Sequence, residues 1–451
     1  MDDKIFREYD IRGVYPVDIN EDIAYKIGLG YGSYLQEKLN QNMCIISHDN
    51  RLSSESLNEN LIKGLLETGI NVIDYGLTTT PMNYYARKRN NLMGIMITAS
   101  HNPKDDNGFK FSFDNYANAR GNMILEFKNY INKGNFLKGN GKLEKKNIEE
   151  DYINYVINNL KFGKRKIKVV LDPANGVSTI IARKIFEKLN LDLIMINEDS
   201  DGNFPNHHPD PSIEDNLSDL KKKVIEEKAD IGIGFDGDGD RIGIVDELGN
   251  RVSIEDYGII ILRNIIDKVN NKTFLYDAKS SDTFKDEVEK LGGTPYISRT
   301  GSSYTMMEVA KNDIPFGFQY VGHISFNDRT FDTESAMYSS LRLIEILSKT
   351  NKTLSELVST IPHYYNTEEE KFKTDDDIKY DIVYKIKDFC DKNNYYYKEI
   401  DGLKIIFQNG WGYIRASNTG PNLTLRCESK NKKDLENLYT FFKTLIIKYN
   451  K

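Results

Sequence analysis

The chain repeats one local pattern three times: a short apolar strand leads into an aspartate, and a helical stretch follows. The aspartates are Asp49, Asp172 and Asp277, which lie 123 and 105 residues apart. Apolar strands that alternate with helices indicate α/β units with largely parallel sheets. Because the spacing is that of a small domain, the pattern predicts three related α/β/α domains with mixed, largely parallel sheets.

The length of 451 residues exceeds what a single hydrophobic core supports and predicts three or four domains. Residues 366–377 are polar and charged, which predicts a linker. Strand-like stretches at 411–417 and 423–427, with a closing helix at 433–449, predict a smaller α+β domain at the C-terminus. The predicted domains are residues 1–148, 149–251, 252–363 and 364–451.

Composition excludes several classes of protein. The chain is 39% hydrophobic and 29% charged, and it has no apolar run near the roughly 20 residues that a membrane helix needs. The first seven residues lack a secretory signal, and Cys44, Cys390 and Cys427 are isolated, which favours a reducing cytoplasm over a disulfide framework or a zinc site. A net charge of −7 disfavours nucleic-acid binding. We therefore expect a cytoplasmic protein that binds neither nucleic acid nor membrane.

The segment from Thr98 to Pro103 follows a predicted strand and places the hydroxyl of Ser100 beside the imidazole of His101. Lys110 brings a cation back a few residues later. A lone serine after a strand is more often a turn residue than a nucleophile. Hydroxyl, imidazole and ammonium groups in one loop nevertheless suit phosphoryl transfer, in which positioning and charge neutralisation supply most of the rate.

A second loop follows another predicted strand and carries Asp236, Asp238 and Asp240 in alternation with glycines. The glycines allow the backbone to fold so that all three carboxylates converge on one cation. A solvated acidic turn and a calcium loop are the alternatives, but a strand-like run before Glu247 departs from the calcium-loop pattern. Oxygen ligands alone favour magnesium, with a phosphate oxygen completing the shell. Arg241 would stabilise the charge that develops in transfer.

A third polar loop spans residues 415–420 and reads Arg-Ala-Ser-Asn-Thr-Gly. A guanidinium offers a planar fork to a phosphate, and loop amides can point at the same group. Such a loop taken alone is more often a plain turn. Together with a phosphoryl donor in the first domain, it predicts a phosphate-binding loop.

These segments together resemble the α-D-phosphohexomutase superfamily, most closely its bacterial phosphomannomutase/phosphoglucomutase branch. The matching segments are residues 6–13, 98–103, 107–110, 202–211, 236–241 and 415–419. The resemblance extends over nearly the whole chain and implies four domains around a central cleft. It also implies a phosphohexomutase that interconverts hexose 1-phosphate and hexose 6-phosphate through a phosphoserine and a 1,6-bisphosphate intermediate.

The resemblance implies a role for individual residues. The metal ligands would be Ser100, through its phosphate, with Asp236, Asp238 and Asp240, holding one magnesium ion per chain. The catalytic residues would be Ser100, His101, Lys110, Arg12, Arg241 and His323. Substrate would be bound by Tyr9, Lys279, Arg299, Ser302, Gln319, Val321, Arg415, Ser417, Asn418 and Thr419. A hexose 1,6-bisphosphate would act as activator, a phosphosugar as the partner, and the protein would be a monomer or weak homodimer.

The loop at residues 317–323 departs from the family pattern Gly-Glu-x-Ser-Gly-His. Gln319 replaces the glutamate and lacks its charge, whereas Val321 replaces the serine and lacks its hydroxyl. Ser302 and Gly420 also differ from the common residues. We expect altered sugar selection without loss of phosphoryl chemistry. The alternatives are a phosphoglucosamine mutase, which usually has glycine at the position of Asn418, a catalytically weak phosphosugar-binding homologue, and a phosphatase.

Overall fold

The computed structural model describes residues 1–329, 333–417 and 420–450. The first domain contains β1 (Ile11–Val14), α1 (Glu21–Leu39), β2 (Met43–His48), α2 (Ser54–Glu67), β3 (Asn71–Leu77), α3 (Thr80–Asn90), β4 (Gly94–Ile97), β5 (Asp106–Phe111), α4 (Asn122–Asn132) and β6 (Leu143–Lys145). Its strands form one sheet in the order β1-β5-β4-β2-β3-β6. β2 runs parallel to β3 and β4, whereas β5 runs antiparallel to β4 and β1.

The second domain contains α5 (Glu149–Asn158), β7 (Lys168–Asp172), α6 (Thr179–Lys188), β8 (Asp192–Met195), α7 (Ser218–Glu227), β9 (Ile231–Phe235), β10 (Ile242–Asp246) and β11 (Arg251–Val252). The sheet order is β11-β10-β9-β7-β8. β7 runs parallel to β8 and β9, and β10 runs antiparallel to β9 and β11. The hairpin formed by β10 and β11 leads directly into the third domain.

The third domain contains α8 (Ile254–Ile265), β12 (Thr273–Asp277), α9 (Asp282–Lys290), β13 (Thr294–Ser298), α10 (Ser302–Lys311), β14 (Phe316–Phe318), β15 (Ile324–Phe326), β16 (Thr333–Glu334), α11 (Ala336–Ser348) and α12 (Leu354–Val358). The sheet order is β13-β12-β14-β15-β16. β12 runs parallel to β13 and β14, and β15 runs antiparallel to β14 and β16.

The three sheets share one topology, which confirms the prediction of three related α/β/α domains. A central strand pairs in parallel with two neighbours, and one neighbour then continues into an antiparallel strand. The repeated aspartates explain the common turn after each central strand. Buried Oδ1 atoms accept backbone N–H groups two or three residues later, from Arg51 to Asp49, from Ala174 to Asp172 and from Ser280 to Asp277. Each aspartate therefore closes the strand-to-helix turn.

The fourth domain contains β17 (Tyr365–Asn366), β18 (Glu370–Lys373), α13 (Lys379–Lys392), β19 (Tyr397–Glu399), β20 (Leu403–Phe407), β21 (Gly410–Ala416), β22 (Asn422–Ser429) and α14 (Lys432–Tyr449). Its sheet is antiparallel, in the order β17-β22-β21-β20-β19, with β18 also paired to β22. Ile386 of α13 and Phe442 of α14 share a core with Leu425 of β22. The predicted smaller α+β domain is thus confirmed.

The predicted linker at residues 366–377 is wrong in part, because Glu370–Lys373 form β18. Lys371 and Lys373 are exposed while Glu370 and Phe372 are half-buried, so the segment alternates as an edge strand does. The charges that suggested a linker belong to its solvent side. The domain boundaries stay a prediction. None of the helices in the described part of the chain combines the length and apolar character that a membrane crossing requires.

Candidate active site

Three loops in equivalent positions of the three sheets meet one another. They connect β4 to β5, β9 to β10, and β14 to β15, and each lies at the carboxyl end of a parallel strand, where α/β folds place ligands. The first and second loops meet where the Ser100 hydroxyl donates to Oδ2 of Asp236 at 2.7 Å. The second and third meet where Nε of Arg241 donates to Nε2 of His323 at 2.9 Å.

Ser100 has a left-handed backbone, with φ of 52°, which is uncommon for a residue that carries a Cβ. Its N–H donates to Oγ1 of Thr98 at 2.8 Å, and its side chain is buried. A residue stays in this conformation only when its surroundings fix it. The backbone thereby aims Oγ at Asp236 rather than at solvent.

Arg51 fixes the backbone of the Ser100 loop. This role was not predicted from the sequence. Its guanidinium is fully buried and donates to four backbone carbonyls of the loop, those of Ser100, Asn102, Pro103 and Asp106, at 2.6–2.9 Å. Its Nε lies 3.3 Å from Asp49, the aspartate of the repeated turn. The loop carrying the hydroxyl is therefore anchored to the helix start that follows β2.

His101 and Arg12 flank Ser100. Nδ1 of His101 lies 3.4 Å from the Ser100 Oγ. Burial and then the charges of nearby guanidinium groups lower the pKa of His101 well below that of a free histidine, so the imidazole is neutral. Nη1 of Arg12 donates to Oδ1 of Asn102 at 2.8 Å, which places this cation beside the same loop.

The aspartate loop folds back on itself as the glycine alternation predicts. Oδ1 of Asp236 accepts the backbone N–H groups of Gly239, Asp240 and Arg241 at 3.0–3.1 Å, and Gly239 has φ of 78°. Burial and the charges of Asp238 and Asp240 raise the pKa of Asp236 well above its usual value. The loop thus concentrates negative charge in a buried place.

Lys110 bridges the other two carboxylates. Its Nζ donates to Oδ2 of Asp238 at 2.7 Å and to Oδ2 of Asp240 at 2.9 Å. Burial acts to lower the pKa of Lys110, but the two carboxylates raise it well above the ordinary value. Burial acts to raise the pKa of Asp238, but Lys110 lowers it. Lys110 and Asp238 are therefore both charged. Thr80, which the sequence did not suggest, donates its hydroxyl to Asp238 at 2.6 Å.

The triplet fits a divalent cation. Oδ1 of Asp238 and Oδ1 of Asp240 are buried, and neither has a hydrogen-bond partner among the residues that the structure describes. One oxygen from each of the three aspartates lies within 4.8 Å of the others. Three carboxylates here have two cationic neighbours, the ammonium of Lys110 and the guanidinium of Arg241, so the carboxylates outnumber the cations. An all-oxygen set of this charge suits magnesium.

His323 connects the aspartate loop to the third domain. Its Nδ1 lies 3.0 Å from Oε2 of Glu334, while its Nε2 accepts from Arg241. Glu334 is fully buried and also accepts the hydroxyl of Ser302. Glu334 was not predicted, yet it connects Ser302 to the metal loop.

The loop between β14 and β15 differs from the other two in where its side chains point. Gln319 is buried and donates its Nε2 to Oγ1 of Thr305 at 2.9 Å, inside the third domain. Val321 is half-buried at the tip of the loop and brings no polar group. Gln319, one of the predicted sugar-binding residues of this loop, thus has a hydrogen-bond partner inside its own domain.

The cations predicted to bind substrate lie where the third and fourth domains meet. Nη2 of Arg299 donates to Oδ1 of Asp401 at 2.9 Å, and Nε of Arg415 lies 3.0 Å from Oδ2 of the same carboxylate. Lys279 forms an ion pair with Glu369. Each of the three cations therefore has a carboxylate that the sequence did not suggest.

Two further predicted residues lie in the same region. The Tyr9 hydroxyl donates to the carbonyl of Thr300 at 3.0 Å, which joins the first domain to the third. The carbonyl of Ser417 accepts Nζ of Lys379 at 2.7 Å. Asn418 and Thr419, also predicted in this loop, lie outside the described residues.

Models of four consecutive domains of one protein family match the chain. Alpha/beta/alpha domains I, II and III of phosphoglucomutase/phosphomannomutase match residues 3–138, 150–249 and 255–365, and the C-terminal domain matches residues 368–443. The chain belongs to the phosphoglucomutase/phosphomannomutase family. The resemblance indicated by the sequence motifs is confirmed.

Individual members of the phosphoglucomutase/phosphomannomutase family are similar over their full length. A phosphomannomutase/phosphoglucomutase of Pseudomonas syringae pv. tomato is 36% identical over 450 residues, covering 98% of this chain and 95% of the relative. A phosphoglucomutase of Neisseria gonorrhoeae is 32% identical over 449 residues, covering 98% and 96%. The crystal structure of a family protein from Burkholderia thailandensis has a TM-score of 0.92 at 29% identity, covering 100% and 98%. The chain is therefore an enzyme of the phosphohexomutase class.

Proposed function

We propose that this phosphohexomutase interconverts the 1-phosphate and 6-phosphate of mannose, glucose or both, through a phosphoserine at Ser100 and a bound hexose 1,6-bisphosphate. The 2.7 Å contact between Oγ of Ser100 and Oδ2 of Asp236 carries the proposal. It sets an esterifiable hydroxyl against a buried acidic triplet that fits a cation. A protein that only binds phosphosugars has no need of this pairing.

One magnesium ion per chain would be held by Asp236, Asp238 and Asp240, with a phosphate oxygen on Ser100 as a further ligand. When bound, the ion supplies positive charge that stabilises the oxygens of the transferring group. Lys110 keeps two of the carboxylates in place and adds a second charge. Arg241 follows the triplet directly and adds a third.

The transfer exchanges one phosphorus–oxygen bond for another. A free hydroxyl of the sugar attacks phosphorus, and its proton passes to a base. The bond from phosphorus to Oγ of Ser100 breaks, its electron pair stays on Oγ, and in the net reaction Oγ takes up the proton that the sugar hydroxyl lost. We assign the base to His323, because Lys110 is held in its charged form and Arg12 stays protonated in proteins. After the bisphosphate turns over, the reverse steps return the other phosphate to Ser100, so the phosphoserine is regenerated.

The remaining predicted residues would bind the sugar and the phosphate that is not transferred. Those assigned to the phosphate are Arg415, Ser417, Asn418 and Thr419, and those assigned to the sugar are Tyr9, Lys279, Arg299, Ser302, Gln319 and Val321. His101, neutral and 3.4 Å from the Ser100 Oγ, would shield and orient the phosphoserine. A catalytic amount of hexose 1,6-bisphosphate would activate the enzyme by phosphorylating Ser100.

A mutase assay tests the proposal. The purified protein is incubated with magnesium, a trace of glucose 1,6-bisphosphate and the 1-phosphate of mannose, glucose or glucosamine, and phosphorus NMR follows the 6-phosphate. We expect conversion of the mannose or glucose ester that depends on the bisphosphate. Fastest conversion of the glucosamine ester would instead identify a phosphoglucosamine mutase, release of inorganic phosphate a phosphatase, and no conversion a binding protein.

A further inference from the structure

One carboxylate occupies the position between two arginines at the border of the third and fourth domains. Asp401 accepts from Nη2 of Arg299 at 2.9 Å through Oδ1, and its Oδ2 lies 3.0 Å from Nε of Arg415. The three side chains are 10%, 37% and 8% exposed, respectively. A single anionic group therefore spans two cations that come from different domains.

The backbone around Asp401 is built to hold this carboxylate in place. Asp401 lies at the tip of the β19–β20 hairpin with φ of 54°, a conformation that aspartate and asparagine tolerate better than most residues. The hydroxyl of Tyr413 donates to the carbonyls of Ile400 and Asp401 at 2.9 and 3.1 Å. Tyr413 is buried in a small cluster with Trp411 and with Ala278 of the third domain, so the hairpin tip is anchored at the border of the two domains.

The contact between Asp401 and Arg415 is one of charge rather than of a well-directed hydrogen bond. Oδ2 of Asp401 and Nε of Arg415 are both buried, and within the described ranges neither atom has a partner of hydrogen-bond geometry. Nε of Arg299 is likewise buried and has no hydrogen-bond partner among the described residues. Two guanidinium groups thus retain unused donors while facing one carboxylate. A phosphate, with more acceptor oxygens and a greater charge, can use those donors.

From this arrangement, which rests on the proposed function, we infer that Asp401 is a built-in competitor of the substrate phosphomonoester. In the ligand-free enzyme its carboxylate pairs with Arg415 of the proposed phosphate loop and with Arg299 of the proposed sugar path, and an arriving phosphate must displace it. Arg299 also lies 3.4 Å from Glu8. The same pairing recurs beside it, where Glu369 neutralises Lys279. Asp401 therefore weakens the hold on the phosphate that is not transferred, which suits an intermediate that has to reorient within the cleft before its second transfer.

A competing role for Asp401 predicts the direction in which Asp401→Asn changes the affinity for inorganic phosphate. Asparagine keeps the size and the left-handed backbone of the hairpin tip but removes the negative charge. If Asp401 competes with phosphate, the variant binds inorganic phosphate more tightly, by about tenfold, because two guanidinium groups lose the carboxylate that they share, and only Arg299 keeps another, Glu8, at 3.4 Å. If Asp401 merely positioned the arginines, the variant would bind phosphate more weakly.

Calorimetric titration of the full chain with inorganic phosphate decides between these outcomes. The titration is done at fixed ionic strength with EDTA, so that phosphate does not bind through a metal, and the heat lost in Arg415→Ala identifies this site. Glu399→Gln is the matched control, because Glu399 lies in the same hairpin but pairs with Lys387 and is 55% exposed. The dissociation constant of inorganic phosphate from the Glu399→Gln variant should stay within about twofold of that from the wild type.

An unchanged or weaker affinity in Asp401→Asn would overturn the inference. Its failure is separable from failure of the proposed function, because the titration requires no turnover. A wild-type enzyme that fails to interconvert any hexose phosphate would disprove the mutase assignment, yet the phosphate titration would still decide the role of Asp401.

Discussion

The β4–β5 loop and the β14–β15 loop occupy the same place in two sheets of the same topology, yet their side chains are used differently. In the first, a strained backbone and the Arg51 anchor fix the Ser100 hydroxyl on Asp236. In the second, Gln319 turns into its own domain, and Val321 presents only methyl groups. The fold thus determines where a loop lies, and the residues on it determine whether it reacts or selects.

The contrast between the two loops predicts how far changes in each loop should lower the rate of turnover. Changes to the first loop and its metal partner should stop the chemistry, whereas changes at Gln319 and Val321 of the third loop, away from His323, should alter the rate by small factors. The predictions below test that contrast, beginning with the largest expected effect.

Ser100→Ala should lower turnover by at least about 10⁴-fold, because no other group can carry the phosphoryl group in its place. Affinity for the hexose phosphate should stay within about twofold, since the proposed phosphate and sugar contacts lie elsewhere. Phosphorus NMR measures the first quantity and calorimetry the second. Ser325→Ala is the matched control: Ser325 lies on β15, which corresponds to β5, and its buried hydroxyl has no hydrogen-bond partner in the described part of the chain. Near-normal turnover in Ser100→Ala would contradict the proposed role.

Asp238→Asn should lower kcat by about 10²–10³-fold and raise the magnesium concentration needed for half-maximal rate. The variant removes one charge from the metal triplet and one partner of Lys110. Chelation of divalent cations should abolish wild-type turnover, and added magnesium should restore it. Asp219→Asn, on the exposed side of α7 in the same domain, serves as the control. A wild-type rate that is insensitive to chelation would show that turnover does not require the proposed metal ion.

Glu334→Gln should lower kcat by about 10- to 100-fold with little change in KM. Glutamine fills the same space, but it removes the negative charge that lies 3.0 Å from Nδ1 of His323. Nε2 of His323 then loses its defined orientation toward Arg241. A thermal unfolding midpoint measured in parallel checks that the domain is intact. A variant with normal kcat and only reduced stability would show that Glu334 is structural.

The fold was predictable because its main determinant is local. Each repeated aspartate bonds to a backbone N–H only two or three residues away, so the pattern is visible in the sequence. The reactive loops were predictable for a related reason. Ser100 and Asp236 follow strands directly, and equivalent strand ends in related sheets lie at equivalent places.

The supporting residues were not predictable, because their partners are distant in the sequence. Arg51 donates to the carbonyl of Ser100, 49 residues later, and Asp401 spans Arg299 and Arg415 across a domain border. In the sequence, Asp401 stands directly before a glycine, and this pair of residues indicates only a turn. Glu334 meets His323 because β15 and β16 pair in a particular register, which no local pattern shows.

Val321→Ser should change kcat/KM for the preferred hexose phosphate by less than about tenfold, the smallest effect of the four. The substitution restores the hydroxyl found in the family pattern at the tip of the third loop. A new contact with a sugar hydroxyl should raise discrimination between the mannose and glucose esters, while the extent of Ser100 phosphorylation stays unchanged. Val321→Ala is the matched control, because it removes the same methyl groups without adding a hydroxyl. Equal discrimination in the two variants would show that the loop tip does not contact the sugar, and a loss of Ser100 phosphorylation would show that the third loop is as essential to the chemistry as the first.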